Sequence, residues 1–305
     1  MVWMGWIGSI RRQNDRAIGL FFLIVLATSI IGWRALFQVG ELSVGDERYS
    51  HLLFIPVASI CIIVWKRDLF LAQVLPSLGW GGSLLLVGLL GYAVVSFSDP
   101  LLHREGSLSL AVASLALMWV ATFILCFGLQ ASRAAVFPLM FLVFMIPAPA
   151  FLLSKAILGL QEGSATMTGI LFHLLRVPAS RNGLIFSLPG VDIEIAEQCS
   201  GIRSSLSLFI TGVLASYLLL QSTWKRMLLS LITIPVAIFK NGIRIVVLSW
   251  LGVYVNPGFL HGKLHQYGGL PVSLLALAIL APIVLALRRS EGKFPDRRAQ
   301  IVGEA

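Results

Sequence analysis

Glu197-Gln198-Cys199-Ser200-Gly201-Ile202-Arg203-Ser204-Ser205 joins two segments of different period, and the fold is read from how they meet. Before it, Val191, Ile193 and Ile195 alternate with Asp192, Glu194 and Glu197, the two-residue period of a half-buried strand. After it, an apolar run from Ile202 continues to about residue 221, the length a helix needs to cross a bilayer. A helix starting there makes Ser200 a natural N-cap and leaves Cys199 just outside the first turn. The free N–H groups and positive end of such a helix favour thiolate over thiol, and Arg203 adds a cation. Cys199 is therefore a candidate nucleophile. A small buried residue at a bend is the competing explanation of a lone cysteine, and the rest of the chain has to decide between them.

The 305 residues are 57% hydrophobic and 12% charged, with a mean hydropathy of +0.89. This is the composition of a membrane protein rather than a soluble globular one. A net charge of +9 would suggest nucleic acid in a soluble chain. Here the basic residues cluster in short loops between apolar runs, so the positive-inside rule accounts for them and no nucleic-acid partner is expected. Cys61, Cys126 and Cys199 form no CxxC, and two of them lie inside apolar runs. Neither a disulfide framework nor a metal site is expected. The sequence has no Walker loop, HExxH, GxSxG or dinucleotide fingerprint, so no cofactor is expected either. The basic N-terminal flank precedes an apolar run without a cleavage pattern and reads as a retained first helix.

Apolar runs near 17–37, 52–65, 78–97, 108–127, 134–153, 202–221, 227–250 and 270–287 predict an all-α polytopic membrane protein of about eight transmembrane helices. Arg11, Arg12 and Arg16 flank the first run, Lys66 and Arg67 the second, Lys225 and Arg226 the sixth, Arg288 and Arg289 the last. That pattern places both termini in the cytoplasm of a cell inner membrane. Residues 1–289 are expected to form a single integral membrane domain, with 290–305 as a cytoplasmic tail. The one sizeable non-spanning part is an outer-face segment, 154–201. Leu153, Ile157, Leu160, Ser164, Thr168, Leu171 and Leu175 recur in it at helical spacing, as in an amphipathic helix on the outer interface. A small β-hairpin near 183–197, turning at Pro189-Gly190, then delivers Cys199 to the sixth span.

The seventh run starts near Met227, and Arg244 lies 17 residues on. That is roughly 26 Å up a span of about 30 Å, near the outer surface and level with Cys199. Lys240 is one turn below on the same face, where a charge needs a polar cavity or an interhelical carboxylate; snorkelling to the interface is the alternative for Arg244. The outer loop that follows holds His261 and His265, spaced i, i+4. A thiol, a guanidinium and an imidazole at one depth are the groups of cysteine acyl transfer: nucleophile, charge stabiliser and acid/base.

The chain resembles the exosortase/archaeosortase family of multi-spanning membrane cysteine transpeptidases. The resemblance rests on Tyr49-Ser50-His51 with Ile55-Pro56, the run from Phe137-Pro138 to Ile146-Pro147, and Arg181-Asn182-Gly183. It continues through Cys199-Ser200-Gly201-Ile202, Asn241-Gly242-Ile243-Arg244, and a histidine four residues before a glycine. It implies catalytic roles for Cys199, Arg244 and His265, the last chosen because Gly269 follows at the family's spacing. Four residues beyond His261 stands His265 itself. The resemblance also implies secreted protein substrates with a C-terminal motif, transmembrane helix and basic tail, cleaved at the outer face through a thioester and transferred to an acceptor.

His51, Glu197, Arg203, Asn241 and His261 are supporting or substrate-binding candidates. His51 and Arg203 serve equally as interface anchors, and Glu197 as the solvent face of the hairpin. Ser200, Ser204 and Ser205 are competing hydroxyls without an adjacent base visible in the sequence. Beyond the substrate, the expected partners are membrane lipids. Two other functions fit the same composition: an outer-face cysteine protease using water as acceptor, and a transporter or structural subunit of an export or exopolysaccharide system. The second would place Arg244 and Lys240 along a substrate path.

Overall fold

The computed structural model describes residues 2–72, 74–100, 102, 106–189, 191–195, 201–256, 258 and 269–291. The chain divides into two compact units, Met1–Leu153 and Ser154–Ala305.

In the first unit, α1 (Val2–Ile31) is followed by α2 (Trp33–Gly45), α3 (Phe54–Trp65), α4 (Arg67–Leu71), α5 (Leu78–Ser98), α6 (Ser107–Ala134) and α7 (Val136–Phe141). α6 is the central element: Ala111, Val112, Leu115, Met118, Ala121 and Phe123 on it are buried. Phe21 of α1 and Phe70 of α4 meet Phe123 and Phe127 of α6 in tilted and edge-on ring contacts of 5.4–5.9 Å, the geometry the ring quadrupole favours. Cys126 packs in this core, whereas Cys61 lies on the exposed side of α3. α6 kinks at Gly128, which has φ +86. There the segment before α5 runs alongside, with Leu75 N–H donating to the Phe127 carbonyl at 3.1 Å.

α8 (Ala150–Leu174), whose residues from Ser154 on belong to the second unit, leads to β1 (Ser180–Asn182), β2 (Ile185–Leu188) and β3 (Val191–Glu194). The strands form an antiparallel meander in the order β1-β2-β3, with Phe186 opposite both Arg181 and Ile193. The expected hairpin is therefore present as β2-β3. β1 is an addition, too short for alternation to reveal. Then come α9 (Ile202–Leu219), α10 (Thr223–Tyr254) and α11 (Gly269–Arg289). Phe172, Phe186, Leu188, Ile195, Ile245 and Val246 bury one another, fastening the sheet to α8 and to the second half of α10. Leu208, Leu229, Val236, Ala276 and Leu280 do the same for α9, α10 and α11.

Among the described residues, six helices are long and apolar enough to cross a membrane, or seven if 136–145 and 150–174 count as one broken span. Two of the expected spans fall short of a simple crossing. α3 has 12 residues, about 18 Å of helix against a core of about 30 Å. The fifth breaks between Ile146 and Pro149, where Pro147 and Pro149 withhold N–H donors and bias the residues before them away from helix. Phe22, Leu23, Leu26 and Ile30 of α1, like Leu86, Leu90 and Val94 of α5, remain exposed. The chain is an all-α polytopic membrane protein carrying one small sheet.

Candidate active site

Of the three residues assigned catalysis by resemblance, Arg244 lies within the described residues; Cys199 and His265 lie outside them, as do Glu197 and His261. The described segments that flank Cys199 in the chain are the end of β3 and the start of α9, and the middle of α10 carries Arg244.

The strand end is held from two sides. Ile195 N–H donates to the Leu184 carbonyl at 3.0 Å, and Gln161 Nε2 of α8 donates to the Ile195 carbonyl at 2.9 Å. On the other side of Cys199 in the chain, α9 starts at Ile202 with Gly201 at its N-cap. This differs from the expected Ser200 cap, and the backbone conformation of Gly201 is part of the reason. Gly201 has φ +68, a left-handed conformation that other residues adopt only at a cost. Its carbonyl accepts the first helical bond, from Ser205 N–H at 2.8 Å.

The middle of α10 supplies the polar groups. Lys240 and Asn241 are each 2% exposed. The Lys240 ammonium donates to Ser204 Oγ, and Ser204 Oγ donates to the Gly201 carbonyl at 3.1 Å. Asn241 Nδ2 donates to Ser164 Oγ of α8 at 2.9 Å. A Cβ on Gly242 would come within 2.7 Å of Met167 Cγ, so the glycine lets α8 cross close to α10. Three helices thus converge on Lys240 and Asn241. The hydroxyls of Thr168 and Ser205, both buried beside this network, make no hydrogen bond in it. Arg244 follows one turn after Lys240 on the same face and is half-buried.

Lys240 was expected to face a polar cavity or an interhelical carboxylate; among the described residues its partner is the Ser204 hydroxyl. Sequence reasoning also missed Ser164 as a partner of Asn241. The available signal was Ser164 and Thr168 at i, i+4 on the buried face of α8, where an apolar stripe would otherwise run. Arg203 is exposed in the first turn of α9 and does not line the buried network.

His51 belongs to the first unit. It is half-buried in the turn before α3, and its carbonyl accepts from Phe54 N–H at 3.0 Å. Burial pushes its imidazole below the ordinary histidine range, and a backbone hydrogen bond at Arg48 works in the opposite direction. Nearby, Arg48 clamps Asp46 through Nε and Nη2 at 2.7–3.0 Å. No group of three or more His, Cys, Asp or Glu side chains that would hold a metal occurs among the described residues.

The model of the transmembrane exosortase family (Exosortase_EpsH) matches residues 42–282, well over half of the chain. The chain belongs to the transmembrane exosortase family. No curated protein and no solved structure matches it. As an exosortase-family member it has the general character of a membrane transpeptidase, and the secreted substrates with sorting signals expected from the sequence are those of the family. The matched range takes in every site residue named above, from His51 to His265.

Proposed function

We propose that this exosortase-family protein cleaves a C-terminal sorting signal of secreted proteins at the outer face of the inner membrane and transfers the new C-terminus to an acceptor. The Cys199 thiolate attacks the scissile carbonyl, and the Arg244 guanidinium stabilises the oxyanion that forms. The tetrahedral species collapses to a thioester as His265 protonates the leaving amine. An acceptor nucleophile then attacks the thioester, gives its proton to His265, and frees the thiol. His51, Glu197, Arg203, Asn241 and His261 are proposed as supporting groups around substrate.

The observation that carries this reading is the family match, which spans Cys199, Arg244 and His265 together. The geometry of the described segments supports it. Gly201 is two residues from Cys199, a chain length that reaches at most about 7 Å. The same Gly201 packs on Asn241, three residues from Arg244. A membrane enzyme so built is suited to a peptide bond just above its substrate's own span.

The test is co-expression with a secreted protein that ends in a short motif, an apolar span and a basic tail. Wild type is expected to shorten it and Cys199→Ala to leave it intact. Unimpaired shortening by Cys199→Ala overturns the mechanism. A product extended at its new C-terminus distinguishes transfer from hydrolysis.

A further inference from the structure

Lys240 has no role in the mechanism above, yet the residue is 2% exposed in the middle of a membrane helix. A charge so placed is costly and persists where it does something. No carboxylate pairs with it among the described residues. Its donor bond goes to Ser204 Oγ, which in turn donates to the Gly201 carbonyl at 3.1 Å. The charge is therefore spent on the first turn of α9, at the end of the helix that carries no other side-chain cap. Asn241, the next residue of α10, closes on Gly201 from beside it and is itself tied to Ser164. Gly201 is left-handed, and its carbonyl accepts from the Ser205 N–H and the Ser204 hydroxyl, both of α9. Lys240 ties that hydroxyl to a second helix, so the first turn is constrained from outside α9 as well.

We propose that Lys240 is a positioning residue for the transpeptidase: through the Ser204 hydroxyl it holds the Gly201 carbonyl and so sets where the thiol-bearing segment enters α9. This rests on the reading of Cys199 as nucleophile. Ser204 is then a link and not a rival nucleophile, since the lysine beside it donates to its oxygen as an ammonium. Misplacement of a reacting group by about 1 Å can cost on the order of 100-fold in rate, so loss of the link is expected in kcat rather than in substrate binding.

The experiment compares Lys240→Met, Lys240→Arg, Ser204→Ala and Ser204→Thr with wild type and Cys199→Ala in membranes, using the motif-span-basic-tail substrate. Lys240→Met and Ser204→Ala are expected to lower kcat about 10- to 100-fold with KM unchanged. Lys240→Arg and Ser204→Thr, which keep donor and acceptor, are expected to retain at least about a third of the wild-type rate. Should Lys240→Met fail to accumulate, Ser204→Ala against Ser204→Thr makes the same comparison without removing the charge. A substrate-free arm measures iodoacetamide alkylation of Cys199 in a Cys61→Ser background; it is expected to slow several-fold in Lys240→Met and to recover in Lys240→Arg. Wild-type rates in Lys240→Met and Ser204→Ala, with Cys199→Ala dead, overturn the positioning role and leave the mechanism standing. Equal impairment of the Met and Arg variants also overturns it, reducing Lys240 to packing. A fluorophosphonate that labels Ser204 overturns it as well, because the hydroxyl would then be the reacting atom. Activity in Cys199→Ala removes both readings at once.

Discussion

Gly201 and Asn241 meet so closely that a Cβ on the glycine would stand 2.8 Å from Asn241 Oδ1 and 3.0 Å from its Cγ. The contact joins the N-cap of one apolar helix to the middle of the next. It brings together Gly201 of the cysteine motif and Asn241 of the Asn-Gly-Ile-Arg motif, 40 residues apart in the chain.

Gly201→Ala tests that contact. Alanine at φ +68 carries a left-handed penalty of about 1–2 kcal/mol, and its methyl must also displace a buried amide that is bonded to Ser164. We expect loss of substrate processing together with a lowered unfolding temperature in detergent. Normal processing by this variant would mean that α9 starts elsewhere in the working enzyme.

The Asn241–Ser164 bond is a second target, because both groups are buried and lie on different helices. Ser164→Ala withdraws one acceptor from Asn241 and is expected to cost about 1–3 kcal/mol. Asn241→Leu with Ser164→Ala should then cost less than the two single changes added together. Denaturant unfolding of the four proteins measures that coupling, and strict additivity would remove the bond from the account.

Much of this was legible in the sequence because it depends on period and length. The apolar runs announced the spans, the Val191–Ile193–Ile195 alternation announced β3, and Ser164 with Thr168 already sat on one face of α8. The broken fifth span was half visible in Pro147 and Pro149. What stayed hidden depends on which helix lies against which. No spacing rule says that Lys240 will find Ser204 rather than a carboxylate. Nor does one say that Gly201 will displace Ser200 as the cap, since that is set by Asn241 pressing from another helix. The polar network around Lys240 and Asn241 was thus legible as residue types and illegible as pairings.

Gly128 makes the sharpest steric prediction in the first unit. A Cβ there would fall 1.8 Å from the Leu75 carbonyl oxygen, a backbone atom that cannot swing away, and φ is +86. Gly128→Ala must break the pairing of 74–77 with the α6 kink or straighten the helix, on top of about 1–3 kcal/mol of backbone strain. We expect a severe loss of the folded protein from membranes. Gly79→Ala, with nothing within 4 Å of its Cβ, serves as the tolerated control.

The end of α11 carries a pH-sensitive clasp. Glu291 accepts from Gln221 N–H at 2.9 Å and from Ser222 N–H at 2.9 Å, at the start of α10. Partial burial raises its pKa, but those two N–H donors and the nearby Lys225 and Arg226 outweigh that and leave it below the ordinary glutamate value. A depressed folded pKa means that the clasp is at full strength above the unfolded value, about 4.3. It weakens as pH falls through the lower folded value. The protection of the Gln221 and Ser222 amides, relative to their intrinsic exchange rates at each pH, should therefore fall on acidification below that range. In Glu291→Gln protection should be low and independent of pH; unchanged protection in that variant would discard the clasp.

Arg244 gives the most direct test of the proposed chemistry, and the substitution that matters is to lysine. Arg244→Lys keeps the charge at the same turn of α10 and removes the planar fork that presents several donors to one oxygen. It also sets a second ammonium one turn from Lys240, which donates one of its three N–H groups to Ser204. Loss of a single oxyanion donor typically lowers kcat by about 100- to 1,000-fold, so Arg244→Lys and Arg244→Gln should both fall by about that factor. If the guanidinium only snorkels to the interface, Arg244→Lys will process substrate at the wild-type rate, because a lysine snorkels as well. Initial rates with both variants at matched membrane abundance decide between the two.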